Sequence, residues 1–432
     1  VITERDRLLV QTPEKMKARY GIDVRIRSDV TAIDREAKAV RVRNVETGEE
    51  YTEGYDALLL SPGAEPVRPP IPGADASRVY TLRSLADTDA IKHVVDTEKP
   101  SRVVVVGGGY IGLEMAEALR DRGVAVTLVE LLDQVMAPVD PEMASPLQSE
   151  LVLHGIDLRL GTSVKEFTQQ GRDVEVQLST GESLTCGMAI CSVGVTPEVH
   201  LARTAGLEVG ERGGIVVDEH MRTNDPSIYA VGDAVETTAY GFGFQTVIPL
   251  AGPANRQGRI AADNIFGRDS TYRDTQGTGI CKVFDLAVGM TGLNEKLLMK
   301  RGIAYEKVYV HPASHAGYYP GAHPLSLKLL FDPEKGTILG AQAVGADGVD
   351  KRIDVIATAM RSGQTVFDLE HLELCYAPPF GSAKDPVNYA GFVASNLLRG
   401  DCAQAYVEQI LESSGDRVLL DVRTAAEVEG GK

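Results

Sequence analysis

The chain has 432 residues, of which 43% are hydrophobic and 24% charged, a composition ordinary for a soluble globular protein of two to four domains. Its formal net charge of −17 at pH 7 argues against nucleic acid or an anionic membrane as the main partner, because both would repel it. No apolar run approaches the roughly 20 residues that span a bilayer, and Val1–Arg7 lacks the apolar core of a secretory signal, so we expect a cytoplasmic protein.

The first 83 residues are predicted to contain an exposed helix followed by short strands. Lys17 and Arg19 lie in a charged stretch that is typical of a solvated helix face. Alternating apolar residues predict strands at 24–26, 40–42 and 57–60. The last of these strands ends at a Ser-Pro-Gly turn.

The segment 102–130 has the pattern of a strand, a glycine turn, a helix and a second strand that ends in an acid. Gly107 allows the tight turn, Gly109 lets backbone amides approach a pyrophosphate, and Gly112 lets the helix pack on the first strand. The helix N-terminus would face the phosphates with its unpaired amides. Glu130, 18 residues after Gly112, can accept hydrogen bonds from both hydroxyls of an adenine ribose. The unit therefore predicts a dinucleotide site that favours NAD(H) over NADP(H).

Five cysteines are scattered along the chain, which suits a reducing compartment. Cys186 and Cys191 have the C-x4-C spacing of a redox disulfide, but residues 184–193 are predicted to form one strand. An odd separation in a strand places the two side chains on opposite faces, roughly 16 Å apart, whereas a disulfide needs Cα atoms within about 7 Å. We therefore expect both to be small core residues. The eight histidines show neither HxH nor HExxH spacing, so no metal site is predicted.

The later segments alternate short strands with loops and then change pattern. Strands are predicted at 174–178 and 188–193, and an apolar strand at 227–231 ends in a Gly-Asp pair. Towards the C-terminus the pattern is that of a separate α+β domain with a helix at 350–361. A further strand is predicted at 417–423.

Three further motifs resemble those of two-dinucleotide flavoprotein reductases. The segment Thr223–Asp233 is similar to the one in which an aspartate holds the ribityl chain of FAD. Val247–Gly258 resembles the stretch under the isoalloxazine ring, and Ser61–Gly63 resembles the crossover turn near the FAD. The resemblance implies that Asp233 binds FAD, although Gly-Asp is also a common turn that could merely end the strand.

Two more motifs narrow the resemblance to coenzyme A disulfide reductases and the related NADH-dependent persulfide reductases. His315–Gly321 and Cys375–Asn388 are similar to the dimerisation domain of these enzymes. The resemblance covers nearly the whole chain and implies a homodimer with FAD, NADH and coenzyme A. Its substrate would be a small-molecule thiol, disulfide or persulfide. Residues 419–427 resemble the start of a rhodanese domain, an arrangement of the persulfide-reductase branch.

The sequence departs from this family at both ends. The family opens with a GxGxxG motif for the FAD pyrophosphate and a catalytic cysteine in a segment like Asn-Cys-Gly-Leu-Pro-Tyr, and neither stands at the start of this sequence. The sequence also stops before any rhodanese active-site loop. We therefore expect it to be the interior of a longer enzyme, without the nucleophile and half of the FAD cradle.

These patterns predict an α/β protein with two Rossmann-like dinucleotide-binding domains, one for FAD and one for NAD, plus a C-terminal α+β dimerisation domain and the start of a rhodanese domain. The first part of the FAD-binding domain would lack its N-terminal βαβ unit. The expected boundaries are 1–83 and 214–275 for the two parts of the FAD-binding domain, 84–213 for the NAD-binding domain, 276–400 for the dimerisation domain and 401–432 for the rhodanese start.

Several expected site residues keep a second interpretation. Tyr110 could cover the flavin face or merely pack, and Glu114 could position nicotinamide or simply suit a helix N-terminus. Tyr318, Tyr319 and Tyr376 could be interface aromatics, or one of them could hydrogen-bond a thiolate or disulfide sulfur.

The resemblance also implies where the cofactors and coenzyme A bind. Lys17 and Arg19 could contact a coenzyme A phosphate instead of lying free in solvent. The expected cofactor-binding residues are Ser61, Pro62, Gly63, Gly107, Gly109, Tyr110, Ile111, Gly112, Glu114, Glu130, Gly194, Gly232, Asp233, Pro249, Leu250 and Ala251.

We expect an FAD-dependent enzyme that takes hydride from NADH and delivers two electrons, through a cysteine beside the flavin, to a coenzyme A disulfide, persulfide or polysulfide. The resemblance to a rhodanese start favours persulfide. One alternative within the same fold is an NADH oxidase or peroxidase, in which the cysteine cycles through a sulfenic acid. A second alternative is a nucleotide-binding or dimerisation fragment without catalysis.

Overall fold

The computed structural model describes residues 4–411, 418 and 420–430. The chain first builds part of an amino-terminal domain, in which three strands form an antiparallel sheet in the order β1-β2-β3. After a 3₁₀ turn at Arg5–Leu8, the elements are α1 (Pro13–Tyr20), β1 (Ser28–Asp34), β2 (Ala39–Asn44), β3 (Glu50–Gly54), β4 (Leu58–Leu60) and β5 (Ala64–Pro66).

The strands predicted at 40–42 and 57–60 are confirmed, whereas the one predicted at 24–26 is wrong. The chain turns at 26–27, where Arg27 has a left-handed φ of 56°. Such a backbone conformation interrupts an extended strand, so pairing begins only at Ser28.

The chain then forms a central domain, which confirms the predicted βαβ unit. Its elements are β6 (Val79–Tyr80), α2 (Leu85–His93), a π-helical turn at Val94–Glu98, β7 (Arg102–Val106), α3 (Tyr110–Asp121), β8 (Ala125–Val129), α4 (Pro141–Leu153), β9 (Asp157–Arg159), β10 (Val164–Gln170), β11 (Asp173–Leu178), β12 (Ser183–Cys186), β13 (Met188–Cys191) and β14 (Val195–Pro197).

Two sheets and two helices make up this central domain. A parallel sheet in the order β6-β13-β7-β8-β9 has α3 and α4 on one face and an antiparallel β10-β11-β12 sheet on the other. Because both faces are covered, the valines of β7 at 103–106 are all buried, as is usual for a parallel strand.

Cys186 and Cys191 lie on two strands rather than one, so the predicted geometry is wrong. The chain leaves one sheet and enters the other at Gly187: β12 pairs with β11, and β13 pairs with β7. Both thiols are free and buried, and both belong to the core between the two sheets. They are core residues as predicted, but they share one interior instead of pointing to opposite faces.

The chain returns to the amino-terminal domain through β14, which pairs antiparallel with β5. Parallel pairing of β16 with β4 places the carboxyl ends of both strands at one edge. The elements of this second part are α5 (His200–Thr204), β15 (Ile215–Val216), β16 (Ile228–Ala230), a 3₁₀ turn at Gly232–Ala234, β17 (Val235–Thr238), β18 (Gln245–Thr246) and α6 (Ala251–Ile265).

The residues after β14 pack with the amino-terminal domain. Ala202 of α5 and Leu207 share a core with Ile33 of β1 and Leu60 of β4. We therefore propose that the central domain ends at β14 rather than at residue 213.

A carboxy-terminal domain follows, and its helix α8 confirms the one predicted at 350–361. Its strands pair antiparallel in the order β19-β20-β23-β22-β21, and α8 packs on β20 and β23. Cys281 and Val288 from this sheet share a core with α3 and α4 of the central domain. The elements are β19 (Gly279–Val283), β20 (Leu286–Gly292), α7 (Glu295–Arg301), β21 (Glu306–Val310), β22 (Leu325–Phe331), β23 (Ile338–Gly345), α8 (Val349–Arg361), α9 (Val366–Glu370) and α10 (Pro386–Arg399).

A buried ionic cluster joins the central and carboxy-terminal domains. The Lys328 ammonium is fully buried and lies 2.8 Å from the Asp140 carboxylate, 2.5 Å from Glu142 and 2.5 Å from Glu295. The amide of Gln342 donates to Asp140 at 2.6 Å. Asp140 and Glu142 belong to the central domain and the other three to the carboxy-terminal domain, so the cluster fixes one domain against the other.

Beyond α10 the structure describes α11 (Val407–Leu411) and α12 (Ala425–Gly430). The strand predicted at 417–423 is not found at 418 or 420–423, and residues 417 and 419 lie outside the described part. The rhodanese start therefore stays a prediction. Within the described residues, no helix combines the length and the apolar character needed to cross a membrane.

Candidate functional site

The glycine turn between β7 and α3 has the geometry of a phosphate-binding loop. A Cβ at Gly107, where φ is +106°, would lie 2.4 Å from the Ser192 carbonyl oxygen, and a Cβ at Gly112 would lie 1.8 Å from the Gly107 carbonyl oxygen. Only glycine fits either position. Gly109 precedes the first residue of α3, and nothing lies within 4 Å of the place a Cβ would take. The helix N-terminus is therefore open to an anionic group.

Glu130 lies beside this turn because β8 runs parallel to β7. Its carboxylate is half-buried and accepts hydrogen bonds from the backbone N–H groups of Gly108 at 2.6 Å and Leu132 at 2.8 Å. These contacts fix the acid next to the open helix N-terminus, where a ribose bound to the phosphates would meet it.

A second site lies at the edge where β4 and β16 both end. The Ser61 hydroxyl is 3.9 Å from the place that a Cβ of Gly232 would take, and Gly232 has a φ of +80°. Asp233 follows and is half-buried. No described residue donates a hydrogen bond to its carboxylate, and burial raises its pKa. An acid in that state has acceptor capacity left for a ligand hydroxyl.

Helix α6 also begins at this edge. Its N-terminus follows Leu250 and carries no side-chain cap, so its first amides are open to a ligand. Leu250 is half-buried, whereas Pro249 and Ala251 are exposed. The edge thus joins the predicted residues 61–63, 232–233 and the start of α6, and the set fits the hydroxyls and polar ring atoms of FAD.

Gly63 and Gly194 shape the crossover between the amino-terminal and central domains. Gly63 has a φ of +77° and Gly194 a φ of +117°, both in the region that favours glycine. The Gly194 carbonyl oxygen accepts a hydrogen bond from the backbone N–H of Val67 at 2.9 Å. Arg83 donates to the Pro62 carbonyl oxygen at 2.8 Å, which holds the turn in place.

Tyr110, the first residue of α3, is half-buried against the carboxy-terminal domain. Its phenol oxygen lies 2.8 Å from the place that a Cβ of Gly279 would take, and burial raises its pKa to about 12. Ile111 is half-buried beside it, and Glu114 is exposed one turn further along the helix. The side chain of Glu114 has no hydrogen-bond partner among the described residues. Both interpretations of Tyr110 and of Glu114 therefore stay open.

The structure brings two of the three candidate tyrosines together. The phenol oxygens of Tyr318 and Tyr376 lie 3.5 Å apart, although 58 residues separate them in sequence. The side chains are largely free of the rest of the chain, with 78% of Tyr318 and 51% of Tyr376 exposed. Tyr319 packs edge-on against His315 instead, with ring centroids 6.0 Å apart. Tyr318 and Tyr376 thus form a phenol pair that faces outward.

Lys17 and Arg19 lie on the exposed helix α1. The Arg19 guanidinium lies 5.1 Å from the ring centroid of Tyr20, and no described residue pairs with the Lys17 ammonium. Both charges are available to an anion, which fits the coenzyme A phosphate interpretation and the solvated-face interpretation equally.

Two residues at these sites escaped the sequence-based prediction. The Ser192 hydroxyl donates to the Val106 carbonyl oxygen at 2.9 Å and so ties β13 to the glycine turn. The buried Gln257 amide oxygen accepts from the Gly232 backbone N–H at 2.8 Å. Ser192 had one available signal, a polar residue within an apolar strand end, whereas Gln257 stands among other polar residues and had none.

The chain matches the family described as pyridine nucleotide-disulphide oxidoreductase over residues 3–258, and the dimerisation domain of that family over 278–386. It is 35% identical over 395 residues to a coenzyme A disulfide reductase of Staphylococcus aureus strain JH9, which covers 91% of this chain and 88% of that protein. Reduced Bacillus anthracis CoADR-RHD has a similar structure, with a TM-score of 0.96 and 49% identity over 99% of this chain and 77% of that one. An NAD-dependent persulfide reductase from A. fulgidus gives a TM-score of 0.89 and 37% identity over 92% of this chain and 74% of that one.

Proposed function

This chain belongs to the pyridine nucleotide-disulphide oxidoreductase family, and from that membership we propose that it is an FAD-dependent enzyme that passes electrons from NADH to a coenzyme A disulfide, persulfide or polysulfide. The observation that carries the sulfur substrate is the outward-facing phenol pair of Tyr318 and Tyr376 on the domain that matches the dimerisation domain. Bound FAD and NADH would supply the two-electron transfer itself. The residues of this chain hold the two dinucleotides and position the sulfur.

The thiolate that attacks the sulfur substrate needs a lowered pKa. Three cysteines of the chain are unsuited to that task, because burial raises the pKa of Cys186 and Cys191 to about 11 and that of Cys281 to about 12. None of the five cysteines has the sequence context that the resemblance requires. We propose that none of the three buried cysteines is the attacking thiol. All five thiols are free, which fits a reducing, cytoplasmic compartment.

Asp233→Asn should lower the FAD content of the purified protein while the dimer stays intact. The half-buried carboxylate has no partner in the described part of the chain, so its acceptors suit the ribityl hydroxyls of FAD. Flavin absorbance per protein and gel filtration measure the two effects, with the exposed Asp173→Asn as a control that keeps its flavin. Full flavin content in Asp233→Asn would show that this residue only ends the strand and does not bind FAD.

The same substitution should stabilise the protein when it is free of FAD. Burial raises the folded-state pKa of Asp233, so its contribution to stability is full below the pKa of the unfolded chain and is lost as the pH rises through the folded pKa. Asn carries no charge and escapes that loss. Thermal unfolding of the FAD-free protein at neutral pH should therefore give a higher Tm for the variant than for the parent.

The parent enzyme should prefer NADH over NADPH by roughly 100-fold in kcat/KM, on the scale of one lost charged hydrogen bond. Glu130 would repel a 2′-phosphate and would lose its ribose partners. Glu130→Gln keeps an acceptor for the Gly108 N–H but removes the charge. It should therefore reduce the preference for NADH mainly by raising kcat/KM for NADPH. Steady-state kinetics with both coenzymes measure this ratio, and the exposed Glu166→Gln serves as the control. Equal kcat/KM values for NADH and NADPH in the parent enzyme would show that Glu130 does not determine coenzyme preference.

We propose a homodimer, because the matched dimerisation domain exposes several aromatic side chains, namely Tyr318, Tyr319, Tyr376 and Phe380. Tyrosine and phenylalanine at this density are typical of interfaces. Lys17 and Arg19 remain candidates for the coenzyme A phosphates.

The purified full-length protein tests the proposal directly. It should carry a flavin absorption spectrum and should oxidise NADH with coenzyme A disulfide or persulfide faster than with oxygen. Faster turnover with oxygen would favour the NADH oxidase alternative. A protein without flavin and without turnover would favour a nucleotide-binding scaffold.

A further inference from the structure

One buried guanidinium joins the two loops that carry the phenol pair. Arg352 lies on α8 and is 1% exposed. Its Nη2 donates to the carbonyl oxygen of Ser314 at 2.7 Å, four residues before Tyr318. Its Nη2 and Nε donate to the carboxylate of Asp385 at 2.9 and 3.3 Å, nine residues after Tyr376. No other charged side chain that the structure describes bonds to both loops.

Asp385 transmits this contact into the second loop. It is 3% exposed and accepts a hydrogen bond from the Val387 backbone N–H at 3.1 Å, while its own N–H donates to the Asn388 side chain at 3.1 Å. These bonds cap the N-terminus of α10 and fix where the loop ends. Arg352 is itself confined, because Nη1 donates to the Gly348 carbonyl oxygen at 3.2 Å.

Arg352 therefore fixes both loops relative to α8, and one backbone hydrogen bond, from the Ala316 N–H to the Gly381 carbonyl oxygen at 2.9 Å, also joins the two loops directly. We propose that Arg352, together with Asp385, is a positioning residue that holds the Tyr318 and Tyr376 phenols in register for the sulfur substrate. The inference rests on the proposed function, because the register matters only if the phenol pair acts on that substrate. A planar guanidinium can serve both partners at once, whereas a lysine ammonium in its place could not keep the same fork of bonds.

A purely structural ion pair is the competing interpretation. A buried pair often adds little net stability, but removal of one partner leaves an uncompensated charge. Loss of stability alone therefore does not identify a positioning role. The test has to measure the sulfur half-reaction separately from folding and from flavin reduction.

Arg352→Lys is the first variant, and Lys351→Met is its matched control. Lys351 is the neighbouring cation on α8, lies 3.6 Å from the same Asp385 carboxylate and donates to the Phe380 carbonyl oxygen at 3.4 Å, but it is only half-buried and does not contact Ser314 in the other loop. Stopped-flow traces of the holoenzyme should show flavin reduction by NADH unchanged in both variants. Oxidation of the reduced enzyme by coenzyme A disulfide or persulfide should slow about 10- to 100-fold in Arg352→Lys only.

A double-mutant cycle then separates positioning from general damage. In a Tyr318→Phe/Tyr376→Phe background, Arg352→Lys should cause no further loss of the sulfur half-reaction, because the phenols it positions are already gone. An equal loss in both backgrounds would overturn the positioning role. If the tyrosine variants alone react at the parent rate, the proposed role of the phenol pair fails instead. If Arg352→Lys does not fold, Asp385→Asn keeps a side chain of the same shape, removes the charge pair and is subject to the same comparison.

Discussion

Tyr376→Phe and Tyr318→Phe should slow reduction of the sulfur substrate by roughly 10²- to 10⁴-fold, the usual contribution of a positioned acid. A phenol of the pair can donate a hydrogen bond to a thiolate or protonate a leaving sulfur, and the 3.5 Å contact between the two oxygens keeps both groups at one place. Flavin reduction by NADH should stay near the parent rate, because the coenzyme site that we propose lies in the central domain around Glu130.

Stopped-flow measurement of both half-reactions is the test of this expectation. Tyr389→Phe is a suitable control, since Tyr389 is also an exposed tyrosine of the carboxy-terminal domain but lies on α10, and no hydrogen bond or ring contact in the described part of the chain joins it to the phenol pair. If both pair variants reduce the sulfur substrate as fast as the parent and the control, the tyrosines are interface packing.

Lys328→Met should lower the free energy of unfolding by about 3–5 kcal/mol at neutral pH, because it leaves the buried Asp140 carboxylate without its cation. Asp140, Glu142 and Glu295 all lie within 2.8 Å of the ammonium, and Asp140 is almost fully buried. Urea unfolding measures the loss. Lys165→Met, at an exposed position without a described partner, should change the same quantity by less than about 0.5 kcal/mol.

The cluster should also make this loss depend on pH. Burial alone would raise the pKa of Glu295, but hydrogen bonds from Lys307, Lys328 and Tyr305 outweigh burial and lower the pKa to about 2. In the unfolded chain the same group has a pKa of about 4.3. Its contribution to stability is therefore present above that pH and is lost as the pH falls towards about 2. The loss in free energy of unfolding caused by Lys328→Met should therefore be smaller at acidic pH. An equal loss at neutral and acidic pH would contradict this account.

Local patterns explain which elements could be predicted from the sequence. The glycines at 107–112 and the acid at 130 were predictable because each has a steric or hydrogen-bonding task within one βαβ unit. The prediction of a strand at 24–26 was wrong because Arg27 takes a left-handed conformation that its residue type does not reveal. The single strand through Cys186 and Cys191 failed because Gly187 lets the chain change sheets, and alternation of apolar residues cannot show which sheet a strand joins.

Contacts over long sequence separations could not be predicted in this way. Arg352 belongs to a helix whose periodicity was evident, yet nothing near it in sequence indicates that it bonds to Ser314 and Asp385. Lys328 likewise has the appearance of a solvated charge on a strand, while its carboxylate partners come from two other segments. For the candidate site, motif residues were found and the groups that support them were not.

The pairing of β5 with β14 has a consequence for how this protein can diverge. The two strands carry the chain into and out of the central domain, so the ends of that insertion lie about one strand spacing, roughly 4.8 Å, apart. An inserted domain whose two ends lie side by side can be replaced by another without distortion of the domain that carries it. Coenzyme preference could then change by replacement of the whole central domain, without any change in the residues proposed to bind FAD. Such an exchange is limited by the core that α3 and α4 share with Cys281 and Val288, because any replacement domain would have to form the same contacts.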